Sequence, residues 1–294
     1  MQAERLTDTR FTVGESPVWR GHEQAVYWVD IPAQRIHRWS VIDEVLRSWT
    51  LPEKVACIAF SSNGKLIAGM ESGLFTVDLN PDGQAAAATH LAAPRSPMTG
   101  MRFNDGRCDR QGRFWSGTLS SVNPTPTGEL YRYEAGSELS PPIVRDLVVP
   151  NGLAWSPDGR TMYLSDSHAS RRLIWAFDFD VASGTPSRKR VFVDMNRHAG
   201  RPDGAAMDVD GCYWSSAADA GRLLRFTPAG RLDREIVLPV AKPSMSAFGG
   251  SRLDTLYVTT IRPRDAAVDA DDGCVFVVRP GVSGCPEPEF AGPL

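Results

Sequence analysis

Four side chains that could bind a cation through oxygen occupy matching places in the sequence. Each lies four residues before the centre of a short apolar run, and the four are Glu15, Asn104, Asn151 and Asp203. Carboxylate and carboxamide oxygens, with no thiol or imidazole in the set, are ligands that suit Ca²⁺ or Mg²⁺ and also accept Mn²⁺ or Zn²⁺ at open sites. Asn and Asp before Gly are also ordinary turn residues. Four such residues in one register nevertheless favour a shared oxygen-rich site over four unrelated turns.

The apolar runs belong to a unit that occurs six times along the chain. Each unit begins with a short strand and continues with a pair of strands, such as AVYWVDI and RIHRWSV in the first unit. The first strands lie about 40 to 52 residues apart and are centred on Trp19, Ala59, Cys108, Trp155, Met207 and Phe248. This interval is the length of a four-stranded sheet with its loops, and no long segment has the spacing of an amphipathic helix.

Near-regular repetition of small antiparallel sheets predicts an all-β fold, namely a six-bladed β-propeller with four-stranded blades around a central channel. We therefore expect one domain over residues 1–294. The segment RLTDTRFTV, before the first unit, is expected to add an outer strand to the last blade. The innermost strands of a propeller line the channel in one direction, so matching residues form a ring near one mouth. The predicted ring contains Glu15, Val55, Asn104, Asn151, Asp203 and Ser244.

Charge, hydropathy and cysteine usage argue against several other classes of protein. A formal charge of −3 and a pI near 6.0 provide no basic surplus for nucleic acid. The chain has no run of about eighteen apolar residues and no apolar signal segment at its start, so we expect a cytoplasmic protein without a membrane partner. Five cysteines without CxxC spacing predict reduced thiols rather than a disulfide framework or a zinc–thiolate site. We expect a monomer or a weak homo-oligomer.

Five longer motifs carry a family resemblance. They are GESPVW at 14–19, RFNDGRCDRQGRFWSGT at 102–118, PNGLAWSPDGRTMYLSDS at 150–167, RPDGAAMDVDGCYW at 201–214 and FGGSRLDTLYVTT at 248–260. In this order they span nearly the whole chain, and with them the sequence resembles the senescence marker protein/regucalcin/gluconolactonase family of six-bladed propellers. The resemblance implies one divalent metal ion, Ca²⁺ before Zn²⁺, Mn²⁺ or Mg²⁺, held by Glu15, Asn151 and Asp203. It also implies that Arg102 and Asn104 contact substrate oxygens beside the metal.

These residues lead to the hypothesis of a metal-dependent, gluconolactonase-like enzyme of carbohydrate catabolism that hydrolyses a sugar lactone to its aldonic acid. In this hypothesis a divalent metal polarises the lactone carbonyl, and Asp203 is both a metal ligand and the proton acceptor for the attacking water. Arg102 and Asn104 orient the substrate. One departure bears on the substrate: some family members carry a glutamate in the loop after the matching strand, whereas residues 119–128 here contain no acid.

Three other functions remain open on the sequence. Arg197, His198, Arg201, Arg262 and Arg264 fall in loops that we expect near the same mouth, and a cationic rim would favour an acidic or sulfonated sugar lactone. A site of this kind could also hydrolyse an organophosphate. A calcium-binding regulatory protein is the alternative outside enzymes, although a binding scaffold has no reason to gather acids and amides at one mouth. The histidines lack the spacing of a Ser-His-Asp triad, so a triad hydrolase is disfavoured.

Other acidic residues are predicted to have structural roles. Asp30 and Asp166 occupy matching places after the second strands of their units, and we expect them to anchor strand ends by hydrogen bonds. The stretch DAAVDADDG at 265–273 lacks the glycine position and the terminal Glu of an EF-hand, which predicts a solvated loop. Neither feature enters the candidate site.

Overall fold

Short runs of β-branched and aromatic residues, bounded by Gly, Pro, Asn and Asp, form nearly all of the regular structure. The computed structural model describes residues 2–81, 83–96, 98–264 and 271–294. In these residues the chain forms the single-turn 3-10 helices Gly21–Glu23 and Met195–Arg197 and the strands β1–β24. The strands are β1 Glu4–Arg5, β2 Gly14–Arg20, β3 Ala25–Asp30, β4 Arg35–Ser40, β5 Val45–Thr50, β6 Val55–Phe60, β7 Leu66–Met70, β8 Leu74–Leu79, β9 Gln84–Ala92, β10 Met101–Cys108, β11 Phe114–Ser120, β12 Gly128–Tyr133, β13 Val144–Leu147, β14 Pro150–Trp155, β15 Thr161–Asp166, β16 Leu173–Asp180, β17 Thr185–Asp194, β18 Arg201–Met207, β19 Tyr213–Ala218, β20 Arg222–Phe226, β21 Leu232–Val237, β22 Pro243–Gly249, β23 Thr255–Thr260 and β24 Phe276–Val278.

The strands group into sheets whose order follows the chain. Four sheets have four strands each, in the orders β10-β11-β12-β13, β14-β15-β16-β17, β18-β19-β20-β21 and β1-β24-β23-β22. The remaining strands form one sheet of eight, β2-β3-β4-β5-β9-β8-β7-β6, in which short parallel pairing of β5 with β9 joins two antiparallel meanders. The described fold is therefore all-β with the small four-stranded sheets of a β-propeller, and the fold-class prediction is confirmed at this level.

Strand β1 brings the start of the chain onto its last sheet. It pairs antiparallel with β24, so the predicted outer strand from the N-terminal segment is confirmed. The paired strand covers only Glu4–Arg5, which is shorter than the predicted segment and begins one residue earlier. After β1 the chain turns inward, and Phe11, 2% exposed, packs into the core with Trp28 and Val275. The need to bury this aromatic ring limits the length of the outer strand.

The first strands of the successive groups surround one axis. Strand β2 contacts β6, β6 contacts β10, β10 contacts β14, β14 contacts β18, β18 contacts β22, and β22 returns to contact β2. Each of these inner strands also contains a register shift in its pairing with the neighbouring strand of its sheet. This closed order gathers the N-terminal ends of the inner strands around one mouth of a channel, where the sequence predicts the polar ring.

Close approach of the inner strands depends on glycine. A Cβ atom on Gly204 of β18 would lie 2.3 Å from the Cγ atom of Met245 in β22. A Cβ atom on Gly106 of β10 would lie 2.6 Å from Cys57 Sγ. Large side chains such as the fully buried Trp115 fill the wider space between the sheets farther from the axis. The glycines that follow Asn or Asp in these strands therefore serve the packing of the channel wall.

Asp30 and Asp166 hold backbone at the ends of β3 and β15. The Asp30 carboxylate accepts hydrogen bonds from the backbone amides of residues 12 and 13 at 2.8 and 3.1 Å. The Asp166 carboxylate accepts them from the amides of residues 148 and 149 at 2.8 and 3.0 Å. The prediction that these two acids anchor strand ends is confirmed.

The cysteines and helices bear on two further predictions. All five cysteines are buried and free, which confirms that they form no disulfide framework. In the described part of the chain, no helix is long and apolar enough to span a membrane. Residues 265–270, in the acidic stretch predicted to be a solvated loop, lie outside the described residues.

Candidate functional site

The four oxygen-bearing ring residues lie where the inner strands leave regular pairing. Glu15 and Asn151 are the last paired residues before a register shift, and Asn104 and Asp203 lie within one. Such a bulge leaves residues unpaired and changes the direction of their side chains. All four belong to strands, so the alternative that they are ordinary turn formers is wrong. A local distortion of each strand makes them available at the channel mouth.

Asn104 connects β10 to β14. Its Nδ2 atom donates to the Pro150 carbonyl oxygen at 2.9 Å and to Asn151 Oδ1 at 3.1 Å. Arg102 Nη1 in turn donates to Asn104 Oδ1 at 2.8 Å. The structure therefore brings the two predicted substrate-binding residues, Arg102 and Asn104, into one network with Asn151, a predicted metal ligand.

Asn151 continues this network toward β18. Its Nδ2 atom donates to Ser167 Oγ at 2.7 Å, and Ser167 Oγ donates to the Pro202 carbonyl oxygen at 2.5 Å. Pro202 directly precedes Asp203, so hydrogen bonds run from Arg102 to the backbone that carries Asp203. Sequence reasoning missed Ser167, whose signal is the SDS motif that ends the strand next to β14.

The two predicted carboxylate ligands are desolvated, and their charges repel each other. Burial raises the pKa of Asp203 to about 8, with Arg201 opposing the shift and Asp105 adding to it. Burial also raises the pKa of Glu15 well above its usual range, and the charges of Asp203 and Asp105 raise it further. The repulsion means that Glu15 and Asp203 share one region of the molecule. A cation bound between such groups would relieve both desolvation and repulsion.

The donor set fits a hard divalent cation. Asp203 is 8% exposed, yet its carboxylate accepts no hydrogen bond from any residue that the structure describes. Glu15 Oε2 accepts one from the Ser16 amide at 3.2 Å. Within the described ranges, no three His, Cys, Asp or Glu side chains are grouped as a metal site. The amide oxygen of Asn151 is a further oxygen donor of the same region. A set of oxygen donors alone suits Ca²⁺ or Mg²⁺.

The residues predicted to form a cationic rim are partly engaged elsewhere. Arg201 Nε pairs with Asp219 at 2.5 Å, and Arg197 pairs with Asp194 at 3.5 Å. His198 packs its ring edge against an aromatic ring of β20. The other two arginines predicted there are exposed. Neutralised pairs attract an anionic substrate less than free arginines would.

Asp105 is a residue of this region that sequence reasoning missed. It follows Asn104 in the same bulge and is 6% exposed. Its Oδ2 atom accepts a hydrogen bond from the Leu153 amide at 2.9 Å, and its Oδ1 atom has no hydrogen-bond partner among the described residues. Its charge acts on both Glu15 and Asp203. The sequence signal for Asp105 is the NDG motif. A regular strand cannot place two successive polar side chains on one face, so this motif at a ring position indicates a distorted strand.

The other two ring positions provide no ligand. Val55 is completely buried. Ser244 Oγ donates to the Gly14 carbonyl oxygen at 2.5 Å and lies 2.9 Å from Thr259 Oγ1. Ser244 thus ties β22 to β2 where the ring of inner strands closes. The groups able to bind a cation come from β2, β10, β14 and β18.

The loop between β11 and β12 supplies no acid. Residues 121–127 are exposed or half-buried, and Glu129 is the first acid after them. Glu129 accepts a hydrogen bond from the Tyr131 hydroxyl and pairs with Arg145 Nη1 at 2.8 Å. Because one carboxylate oxygen is engaged by Tyr131 of its own strand and the other by Arg145 of β13, Glu129 does not replace the glutamate that some family members carry in this loop.

Fold and site together define a propeller-type protein with an oxygen-donor site at one mouth of its channel. Residues 13–262 match the family described as the SMP-30/Gluconolactonase/LRE-like region. The chain therefore belongs to this family, as the sequence motifs predict.

Individual relatives resemble the chain over nearly its whole length. It is 40% identical over 286 residues to a 6-deoxy-6-sulfogluconolactonase of Pseudomonas putida, with 95% of each chain covered. It is 33% identical over 298 residues to an L-arabinolactonase of Azospirillum brasilense, covering 99% of this chain and 96% of the relative. A solved structure of regucalcin from Agrobacterium tumefaciens, described as a calcium-binding protein, superimposes with a TM-score of 0.89 at 26% identity and covers 98% of this chain and 97% of that one.

Proposed function

We propose that this protein is a sugar lactone hydrolase that uses one divalent cation, with Ca²⁺ as the first candidate. The observation that carries the proposal is the grouping of two desolvated carboxylates, Glu15 and Asp203, with the hydrogen-bonded set of Arg102, Asn104 and Asn151. Relatives named lactonases at 40% and 33% identity support the reaction. The similarity to a calcium-binding regucalcin supports the ion.

We also infer that residues 1–294 form one domain with six blades. The sheet of eight strands contains two four-stranded meanders, which with the four separate sheets gives six units of equal size. The contacts of the inner strands from β2 around to β22, and from β22 back to β2, support a single closed ring. A closed ring explains how small sheets avoid exposed edges.

In the proposed site, the cation and the protein side chains have different chemical roles. Glu15, Asn151 and Asp203 would hold the cation, which when bound would polarise the lactone carbonyl and stabilise the negative charge that develops on its oxygen. The Asp203 carboxylate accepts the proton of the water whose oxygen adds to the carbonyl carbon, and it returns this proton to the ring oxygen as the ring C–O bond breaks and the aldonic acid forms. Its oxygens are available for this because no described residue donates a hydrogen bond to them.

Arg102 and Asn104 position the substrate in this proposal. Arg102 uses Nη1 to bond the Phe103 carbonyl and Asn104 Oδ1, which leaves its other donors for ring hydroxyls. Asn104 uses Nδ2 to hold β14, while Oδ1 retains a lone pair for a substrate hydroxyl. Correct orientation of the lactone lowers the barrier without any further chemistry from these two residues.

The direct test is proton release from a panel of glucono-, xylono-, arabinono- and galactono-lactones. Protein stripped with a chelator receives Ca²⁺, Mg²⁺, Mn²⁺ or Zn²⁺ singly. We expect metal-dependent turnover well above spontaneous hydrolysis, and none in Asp203→Asn. Asp109→Asn is the matched control, because Asp109 is buried but bonds only the backbone and side chains of its own sheet.

Other outcomes would identify other functions. Tight Ca²⁺ binding without hydrolysis of any lactone would contradict the enzyme and indicate a calcium-binding regulatory protein. Hydrolysis of a phosphotriester at rates comparable with lactones would indicate an organophosphate hydrolase.

A sulfonated sugar lactone is the second candidate substrate. The observation that favours it is the relative at 40% identity, which is named a 6-deoxy-6-sulfogluconolactonase. Arg262 and Arg264 are exposed loop residues that could neutralise a sulfonate. We expect kcat/KM for 6-deoxy-6-sulfogluconolactone to exceed that for gluconolactone, and the preference to fall in Arg262→Gln or at high salt. Equal values for the two lactones would contradict this candidate.

A further inference from the structure

Two consecutive side chains of β10 hold the bulge of β14. Asn104 Nδ2 donates to the Pro150 carbonyl, and Asp105 Oδ2 accepts from the Leu153 amide at 2.9 Å. Leu153 lies within the register shift of β14, where it has no pairing partner in β15. The carboxylate therefore supplies the acceptor that the sheet does not, in buried surroundings where an unpaired amide would be costly.

A related contact occurs between β2 and β6, although Ile58, unlike Leu153, is paired within its sheet. Ser16 follows Glu15 as Asp105 follows Asn104, and its Oγ atom accepts a hydrogen bond from the Ile58 amide at 3.0 Å. Ile58 lies just after the register shift of β6. In both cases, the side chain one residue after a ring position accepts a hydrogen bond from an amide of the next inner strand. The contact therefore recurs in the fold and is not isolated.

We infer that Asp105 is a positioning residue for the candidate site, which fixes the path of β14 at Asn151 through its hydrogen bond to Leu153. Asp105 acts through the backbone that carries Asn151, and it needs no contact with the substrate. The inference rests on the proposed cation site.

Two substitutions separate the hydrogen bond from the charge. Asp105→Ala removes both, whereas Asp105→Asn keeps an acceptor oxygen for Leu153 and removes only the charge. Asp109→Ala is the matched control, because Asp109 is a buried aspartate in the turn after β10 whose side chain bonds residues 111–115 and makes no hydrogen bond to β14.

Calcium titration of chelator-stripped full-length protein by calorimetry gives the first readout. Removing a group that orients a metal ligand typically weakens metal binding by about 10- to 100-fold, so we expect a Ca²⁺ Kd raised by about 10-fold or more in Asp105→Ala. Asp105→Asn, which keeps the acceptor, should fall between this variant and the wild type, and Asp109→Ala should match the wild type. If the Ala variant does not fold, Asp105→Leu, which has a similar volume but no acceptor for the Leu153 amide, takes its place, and an unchanged Ca²⁺ Kd in that variant would overturn the inference.

Hydrogen exchange of the metal-free protein gives a second readout that does not depend on the proposed function. Asp105→Ala should speed amide exchange in residues 150–155 and leave β18 at the wild-type rate, while Asp105→Asn should protect β14 nearly as well as the wild type. Unchanged exchange in β14 would overturn the positioning role even if the protein hydrolyses lactones. Faster exchange in β14, in a protein that hydrolyses none, would support the positioning role and contradict the proposed function alone.

Discussion

The two mouths of the channel differ in how their charged groups are compensated. At the mouth that carries the candidate site, burial raises the pKa values of Glu15 and Asp203, and no described residue donates a hydrogen bond to the Asp203 carboxylate. At the opposite mouth, Arg20 and Arg107 each pair with a glutamate of the C-terminal segment, at 2.6 and 2.9 Å. The ion pairs at the opposite mouth stabilise the fold. The carboxyl groups at the candidate site have no such protein partner, so a bound cation would have to supply the opposite charge.

The opposite mouth also shows that cavity size does not identify the site. A cavity of about 460 Å³ opens there, with Phe60 and Phe248 in its wall, and its lining extends along the inner strands to Ser16 and Met245. Arg107 Nη2 donates to the Ala205 carbonyl at 2.7 Å, and its Nη1 binds Glu287, so its donors on both sides are already used. The candidate site is distinguished by convergent polar groups, among which the Asp203 carboxylate and Asp105 Oδ1 accept no hydrogen bond from a described residue.

Removal of the carboxylate of Asp203 should have the largest effect on activity. A general base contributes about 10²- to 10⁴-fold to a rate, so Asp203→Asn should lower kcat for lactone hydrolysis by at least that factor. The melting temperature of the metal-free protein should stay the same or rise, because the substitution removes a carboxyl group whose ionisation is disfavoured by burial. Initial rates and thermal denaturation check both parts. Full turnover in this variant would remove Asp203 from the mechanism.

Removal of Arg107 should affect stability more than activity. Arg107→Leu leaves Glu287, 20% exposed, beside an apolar wall without its cation, and should lower the free energy of unfolding by about 3 kcal/mol, with a much smaller effect on kcat than that of Asp203→Asn. Urea denaturation measures the loss. The double variant Arg107→Leu, Glu287→Ala should recover part of it. A drop in kcat as large as that in Asp203→Asn would show that the two mouths are not independent.

His37 lies at neither mouth of the channel, so its titration provides a reference for the acid sensitivity of the fold. Burial, and then the charge of Arg35, lower the pKa of His37 to about 4, from an ordinary value of 6.5. The unfolded chain therefore binds a proton first as the pH falls, and up to about 3 kcal/mol of stability is lost between pH 6.5 and 4. Urea denaturation at pH 7, 5.5 and 4 should show a flatter profile for His37→Gln. An equal loss in both proteins would assign the acid sensitivity to other groups.

The smallest effect should come from the more exposed pair at the opposite mouth. The Glu289 side chain is 47% exposed, and its partner Arg20 also packs on the Phe60 ring. We expect Glu289→Gln to lower the free energy of unfolding by about 1 kcal/mol or less, because water compensates an exposed charge. A loss equal to that of Arg107→Leu in the same urea experiment would show that exposure does not separate the two pairs.

Much of the site follows from the repeat in the sequence. In four of the inner strands, a residue with a side-chain oxygen lies four positions before the centre of the apolar run. The sequence alone therefore aligns Glu15, Asn104, Asn151 and Asp203. Arg102 lies outside this register, and only the family resemblance predicted it. The resemblance and the repeat thus supplied different parts of the same site.

The parts that could not be predicted depend on strand distortion and on contacts between sheets. Asp105 joins the site only because a bulge changes the alternation of β10, and no residue pattern fixes where a bulge occurs. Ser167 joins it through a neighbouring sheet. The pairing of Arg201 with Asp219 joins β18 to the turn after β19 and depends on the register of these two strands, so the predicted cationic rim overstated the free charge.

The pairing of β1 with β24 has a consequence for how the molecule is made. This contact joins the two ends of the chain, and contacts of such long sequence separation form slowly during folding. During synthesis, one side of β2 has no neighbouring inner strand until β22 has been made. The ring of inner strands that brings Glu15 near Asp203 therefore closes late. A chain shortened by β24 would expose β1 and β23 together, and both would be free to pair with strands of other molecules.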